Sequence, residues 1–201
     1  MNQLKITADG SHTLYVPELD EHYHSIHGAV QESKFIFINT GFDRCNADPL
    51  NIFEVGYGTG LNTLLTALKS SSGKREVNYT TIEKYPVDET IVRSLNHHLY
   101  AGEPGKELSE LIHSAPWDRW VSICKNFNLR KIKGDITVYP LSGKYDLIYF
   151  DAFGPDKQPE IWTAEVFASI ASVTEKNGAL VTYSVKGEVK RNLQACGFEV
   201  K

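Results

Sequence analysis

The sequence predicts an α/β fold: a mainly parallel sheet with helices on both faces. Three observations predict it. The apolar run Asn51 to Val55 (NIFEV) passes through a glycine-rich turn into a helical stretch. A second apolar run, Val77 to Glu83, follows and repeats the alternation of strand and helix. A third, Tyr145 to Phe150 (YDLIYF), ends on an aspartate, Asp151, as strands of a doubly wound sheet do when they deliver a polar group to the ligand edge.

Taken in order, Leu4 to Val16 holds Asp9-Gly10 between two short alternating stretches, a hairpin signal because Asp-Gly accepts the positive φ of a tight turn. Lys34 to Asn39 (KFIFIN) is apolar enough for a strand or a buried helix end, and its pattern does not choose between them. Leu61 to Lys69 puts Leu61, Leu64, Leu65 and Leu68 on one helical face, and Ser70-Ser71-Ser72-Gly73 reads as a flexible loop. Pro86 suits the first turn of a helix, which is expected over Val87 to Leu99. Gly102 to Val121 reads as a partly helical insertion able to cover a site, and Asn128 to Lys133 as a strand. Beyond Asp151 we expect a helix over Thr163 to Val173, a strand GALVTYS from Gly178, a short helix from Glu188 to Ala195, and a start of further structure at Phe198.

With 201 residues, 41% hydrophobic and 23% charged, the chain supports one globular unit. Residues 1–50 are expected to form an extension packed on a main domain of residues 51–201. The three cysteines are widely spaced and lack CxxC pairing, which fits a reducing, cytoplasmic setting. No apolar run approaches membrane-spanning length. A net charge of −4 argues against a broad basic surface, so any nucleic-acid site must be local. His22, His24 and His27 have no fourth ligand pattern beside them, and no metal is expected.

The glycine turn is Glu54-Val55-Gly56-Tyr57-Gly58-Thr59-Gly60. Its spacing is GxGxG, whereas the dinucleotide fingerprint places its third glycine one residue later, where this chain has Leu61. The turn therefore suits S-adenosylmethionine, whose amino-acid tail and sulfonium lie beside the loop, better than a pyrophosphate. Glu83, at the end of the next strand, is the expected acceptor for ribose hydroxyls. Asp151-Ala152-Phe153-Gly154-Pro155 is where a methyl acceptor belongs, with Asp151 as the proton acceptor.

That segment, with Lys157-Gln158-Pro159-Glu160-Ile161-Trp162, resembles the DxFxPxxxPxxW signature of the methyltransferase domain of the bacterial tRNA 5-methylaminomethyl-2-thiouridine biosynthesis enzymes. Phe53 through Asn62, Thr81 through Pro86 and, more loosely, Gly28 through Glu32 extend the resemblance from about Asp9 to Lys201. It implies a Rossmann-like class I methyltransferase that converts 5-aminomethyl-2-thiouridine to 5-methylaminomethyl-2-thiouridine at the tRNA wobble position. It also implies cofactor contacts from Glu32, Glu54, Gly56, Tyr57, Gly58, Thr59, Gly60, Asn62, Glu83 and Lys84, with Asp135 toward adenine. Phe153, Pro155, Lys157 and Trp162 are implied on the acceptor side, where Phe153 and Trp162 stack on the base and Lys157 meets a phosphate. Ordinary core packing is the competing reading for both aromatics.

Some family members carry a fused FAD-dependent oxidoreductase domain, which is not seen in this sequence; methylation alone is expected, with a separate enzyme supplying the aminomethyl intermediate. Family chains also continue past Phe198, so the sheet edge is expected to be truncated and tRNA affinity reduced. The alternatives are a methyltransferase of a small amine and a non-catalytic tRNA-binding module; the misplaced third glycine disfavours an NAD-dependent oxidoreductase.

Overall fold

The computed structural model describes residues 2–201. The chain opens with β1 (Gln3–Ile6), β2 (His12–Val16) and β3 (Glu21–His22), a small antiparallel sheet. The expected hairpin turn is present, with Gly10 at φ +83° and the Asp9 carboxylate accepting from the Ser11 backbone N–H at 2.9 Å. Helix α1 (Ala29–Ser33) runs directly into a π-helical segment, Lys34–Gly41. The undecided KFIFIN run is therefore helical, with Phe37 and Ile38 buried.

The main sheet contains β4 (Leu50–Val55), β5 (Val77–Glu83), β6 (Trp120–Cys124), β7 (Phe127–Lys133), β8 (Tyr145–Phe150) and β9 (Thr174–Thr182). Its order is β6-β7-β5-β4-β8-β9, parallel except for the β6–β7 pair. The period of two is visible in the core. Leu50 and Ile52 of β4 join Leu147 and Tyr149 of β8 on one face, while Phe53, Val55, Ile148 and Phe150 pack on the other. Helix α2 (Leu61–Ser72) and α4 (Gly105–Ser114) cover the first face, and α5 (Ala164–Val173) and α6 (Gly187–Ala195) the second.

Four local expectations are corrected. The serine run is helical, because the hydroxyls of Ser71 and Ser72 donate back to the carbonyls of Leu68 and Lys69 at 2.9 and 3.0 Å. The helix after Pro86 starts only after the Asp88 cap and is short, α3 (Glu89–Arg93). It stops because tertiary bonds claim the next turn: Asn96 accepts from the His12 N–H at 2.7 Å and donates to the Gly10 carbonyl at 3.0 Å. The last sheet strand begins at Thr174, four residues before Gly178, with an irregular register against β8. The insertion at 102–121 holds α4 and the start of β6, and none of it faces the cleft described below.

Candidate active site

The sheet order reverses at β4: the chain passes from β4 outward through β5 to β7, then returns to the other side of β4 as β8 and β9. The loops after β4 and β8 therefore diverge, opening a crevice at their carboxyl ends. A cleft of about 1110 Å³ lies there. The two strand ends almost touch. A Cβ on Gly56, whose φ is +90°, would meet the Asp151 carbonyl oxygen at 2.4 Å, so only glycine fits. Gly58 and Gly60 also have positive φ, and Gly60 caps α2 in the left-handed conformation.

Glu83 reaches the loop from β5. Its Oε2 accepts from the Gly58 N–H at 3.0 Å and its Oε1 from the Tyr85 N–H at 2.8 Å. Gly56, Gly58, Glu83, Lys84 and Asp135 all line the cleft. Lys84 and Asp135, just past the ends of the paired strands β5 and β7, pair at 2.8 Å, and Asp135 Oδ1 also accepts from the Thr137 N–H at 3.0 Å. Glu32 lines it from the N-terminal side, where its Oε2 accepts from the Ser25 N–H at 3.0 Å. On the opposite wall are Asp151, Phe153, Pro155 and Lys157.

Asp151 accepts from the Asn62 side-chain amide, Nδ2 to Oδ2, at 2.7 Å. Burial pushes its carboxyl up to about 7, against the lowering effect of that bond, and the charge of Glu32 raises it further. The same amide donates to Glu54 Oε1 at 3.2 Å. Glu54 is fully buried, and that burial raises it to about 8.

The remaining expected site residues do not face the cleft. Glu54 and Asn62 lie beneath the loop, at 0% and 3% exposure. Tyr57 points backward: its hydroxyl lies 3.1 Å from His113 Nδ1 and its ring packs edge-on against Trp117. Gly60 backs onto the same Tyr57 and His113 rings, and the Thr59 hydroxyl bonds to His24 Nε2 at 2.8 Å. Trp162 is a correction of substance. It is 3% exposed, its indole N–H donates to the Phe153 carbonyl at 2.8 Å, and its ring packs on Phe150 and Phe167. It is core, and it supports the acceptor segment from below rather than offering a stacking face.

Tyr183 is a cleft residue that the sequence reading passed over. Its hydroxyl donates to the Ala152 carbonyl at 2.8 Å, and burial followed by the charge of Asp151 raises its phenol. The available signal was its place near the end of the expected strand GALVTYS, at the ligand edge of the sheet; the strand itself ends one residue earlier, at Thr182. Tyr23 lies against Gly58 and meets Phe153 edge-on at 4.8 Å, so one residue just after β3 touches both walls. Burial and the nearby Glu83 push its phenol up to about 12. The histidines stay apart from this chemistry: His24 and His97 pack as neutral buried rings, lowered by burial to about 3 and about 4. Among the described residues no group of three or more His, Cys, Asp or Glu could hold a metal ion, and no helix is long and apolar enough to cross a membrane.

Comparison with solved structures gives a match to MNMC2 from Aquifex aeolicus at TM-score 0.80 and 28% identity, covering 99% of this chain and 65% of that one. The fold is that of a class I S-adenosylmethionine-dependent methyltransferase. Residues 109–201 of this methyltransferase fold also match the family model described as S-adenosyl-L-methionine-dependent methyltransferase. Among curated proteins, the chain is 28% identical over 204 residues to the tRNA 5-methylaminomethyl-2-thiouridine biosynthesis bifunctional protein MnmC of Burkholderia vietnamiensis. It is 30% identical over 200 residues to the protein of the same name from Leptospira interrogans. These alignments cover 92% of the chain but 31% and 30% of the relatives, so the chain spans about a third of their length.

Proposed function

We propose that this chain transfers a methyl group from S-adenosylmethionine to the primary amine of 5-aminomethyl-2-thiouridine at the wobble position of tRNA. The observation that carries the reading is the meeting of the glycine loop and Asp151 at one point of the sheet, so close that a Cβ on Gly56 would stand 2.4 Å from the Asp151 carbonyl oxygen. The similarity to the two named relatives supports the choice of acceptor.

The residues present fit the cofactor. Glycines at 56 and 58 leave the loop backbone bare toward the cleft, and Glu83 offers carboxylate lone pairs at the end of β5, where ribose hydroxyls need acceptors. When bound, S-adenosylmethionine supplies its methyl group as an electrophile, which the amine lone pair takes as sulfur leaves as a thioether.

Freeing that lone pair is the work of this chain. An alkylamine has a pKa of about 10 and arrives as an ammonium ion. Asp151 attracts the cation and takes its proton, and a carboxyl near 7 is a far better proton acceptor than one in the ordinary range. Tyr23 and Phe153 wall off water, and holding amine and methyl in line supplies much of the rate. At the rim, Lys84, Lys157 and Lys186 offer cations to phosphates, each now paired with an aspartate. Residues 51–201 would form the methyltransferase domain, with 1–50 as its cover.

The test is to incubate the protein with methyl-labelled S-adenosylmethionine and bulk tRNA from cells in which the wobble position stops at 5-aminomethyl-2-thiouridine. Label in the wobble nucleoside is the expected result. Label only in small amines, or cofactor binding without transfer, would reject the acceptor or the catalysis respectively.

A further inference from the structure

Glu54 is fully buried, yet among the described residues no Lys, Arg or His pairs with it. A buried carboxylate without a cation is costly enough that the group protonates instead. The Asn62 amide donates to it at 3.2 Å and the Thr63 hydroxyl at 3.4 Å, both from the first turn of α2, and the Tyr79 and Thr81 hydroxyls of β5 and the charge of Asp151 also act on it. Asn62 is buried too, and its two N–H groups go to two carboxyls, Glu54 Oε1 and Asp151 Oδ2. Its Oδ1 has no partner among the described residues. The amide therefore cannot turn without aiming an acceptor at the Asp151 carboxylate. Asp151 in turn has its Oδ2 fixed, and among the described residues no other side chain donates to it.

We propose that Glu54 and Asn62 are positioning residues for Asp151: Glu54, carried as a neutral acid, holds the Asn62 amide, which fixes the Asp151 carboxylate and leaves Oδ1 for the acceptor amine. This rests on the reading above, in which Asp151 takes the amine proton. It replaces direct cofactor contact as the role of Glu54 and Asn62. The raised carboxyl of Glu54, near 8, agrees with a neutral acid at physiological pH. The other titratable groups facing Asp151 are Glu32 from α1 and Tyr183 beyond β9.

The experiment titrates the Asp151 carboxyl by carbon NMR in the cofactor-free protein, and measures cofactor affinity and single-turnover methyl transfer to tRNA carrying 5-aminomethyl-2-thiouridine. Asn62→Ala is expected to raise the Asp151 midpoint by about one to two units, the worth of a hydrogen bond to a charged group. It should slow transfer by about 10- to 100-fold, with cofactor affinity within about twofold of wild type. Glu54→Leu should move the same quantities in the same direction, and Glu54→Gln, whose amide oxygen can still accept from Asn62, should restore most of the rate. Should Asn62→Ala not fold, the Glu54 pair decides. Loss in Glu54→Gln equal to that in Glu54→Leu, or an unmoved Asp151 midpoint in Asn62→Ala, overturns the proposal. A wild-type protein that methylates no tRNA, with the Asp151 midpoint still moved by Asn62→Ala, overturns the acceptor reading and leaves the positioning in place.

Discussion

The Gly58 backbone N–H donates to Glu83 Oε2 at 3.0 Å, which ties the glycine loop after β4 to the end of β5. One carboxylate thus shapes the loop and offers its remaining lone pairs to the cleft. Replacing it removes both at once. Glu83→Ala is expected to weaken S-adenosylmethionine binding by about 10- to 100-fold, the loss of one or two hydrogen bonds to a charged group. Calorimetry checks this, and unchanged affinity would remove Glu83 from the cofactor side.

Phe153 and Trp162 are separated by the same logic. Trp162 is buried among Phe150 and Phe167, so Trp162→Ala should cost about 3–5 kcal/mol of folding stability. Phe153 faces the cleft, and Phe153→Ala should leave the melting temperature nearly unchanged while raising KM for the acceptor. Thermal unfolding with steady-state kinetics on both variants tests the division.

Glu54 gives a stability prediction whose sign follows from linkage. A carboxyl raised from 4.5 to about 8 binds more protons in the folded than in the unfolded chain across that window, so its contribution to stability is complete below about 4.5 and is lost as pH rises toward 8. Glu54→Gln, which cannot ionise, should therefore gain in melting temperature relative to wild type as pH rises from about 5 to about 8. A gap that stays constant across the range would mean that Glu54 is not titrating there.

Asp151 gives a kinetic one. Its carboxylate form accepts the proton, so the single-turnover rate should rise with pH through a midpoint near 7, where burial puts the group. A midpoint in the ordinary carboxylate range would show that burial does not govern the reacting form.

The sequence alone carried the parts of this structure that rest on repeated local pattern. Strands β5 and β8 fall where Val77 to Glu83 and Tyr145 to Phe150 were expected, because buried parallel strands read as continuous apolar runs. The glycine spacing and the strand-end acids Glu83 and Asp151 were legible for the same reason: topology puts them at the ligand edge. What stayed hidden depends on distant partners. Helix α3 is cut short by Asn96 bonding to the first hairpin, and β6 exists only as the antiparallel neighbour of β7. Glu54 and Trp162 show the limit within a motif, since a residue type in the right place says nothing about which way its side chain turns.

The division of the cleft into a cofactor side and an acceptor side is tested most directly at Asp151. Asp151→Asn keeps the size of the side chain and its bond from Asn62 but cannot take a proton. Nucleoside mass spectrometry of tRNA carrying 5-aminomethyl-2-thiouridine, after incubation with S-adenosylmethionine, should show conversion to 5-methylaminomethyl-2-thiouridine slowed by about 10²-fold or more, with cofactor affinity within about twofold of wild type. Equal loss of both, or conversion at the wild-type rate, would contradict the account.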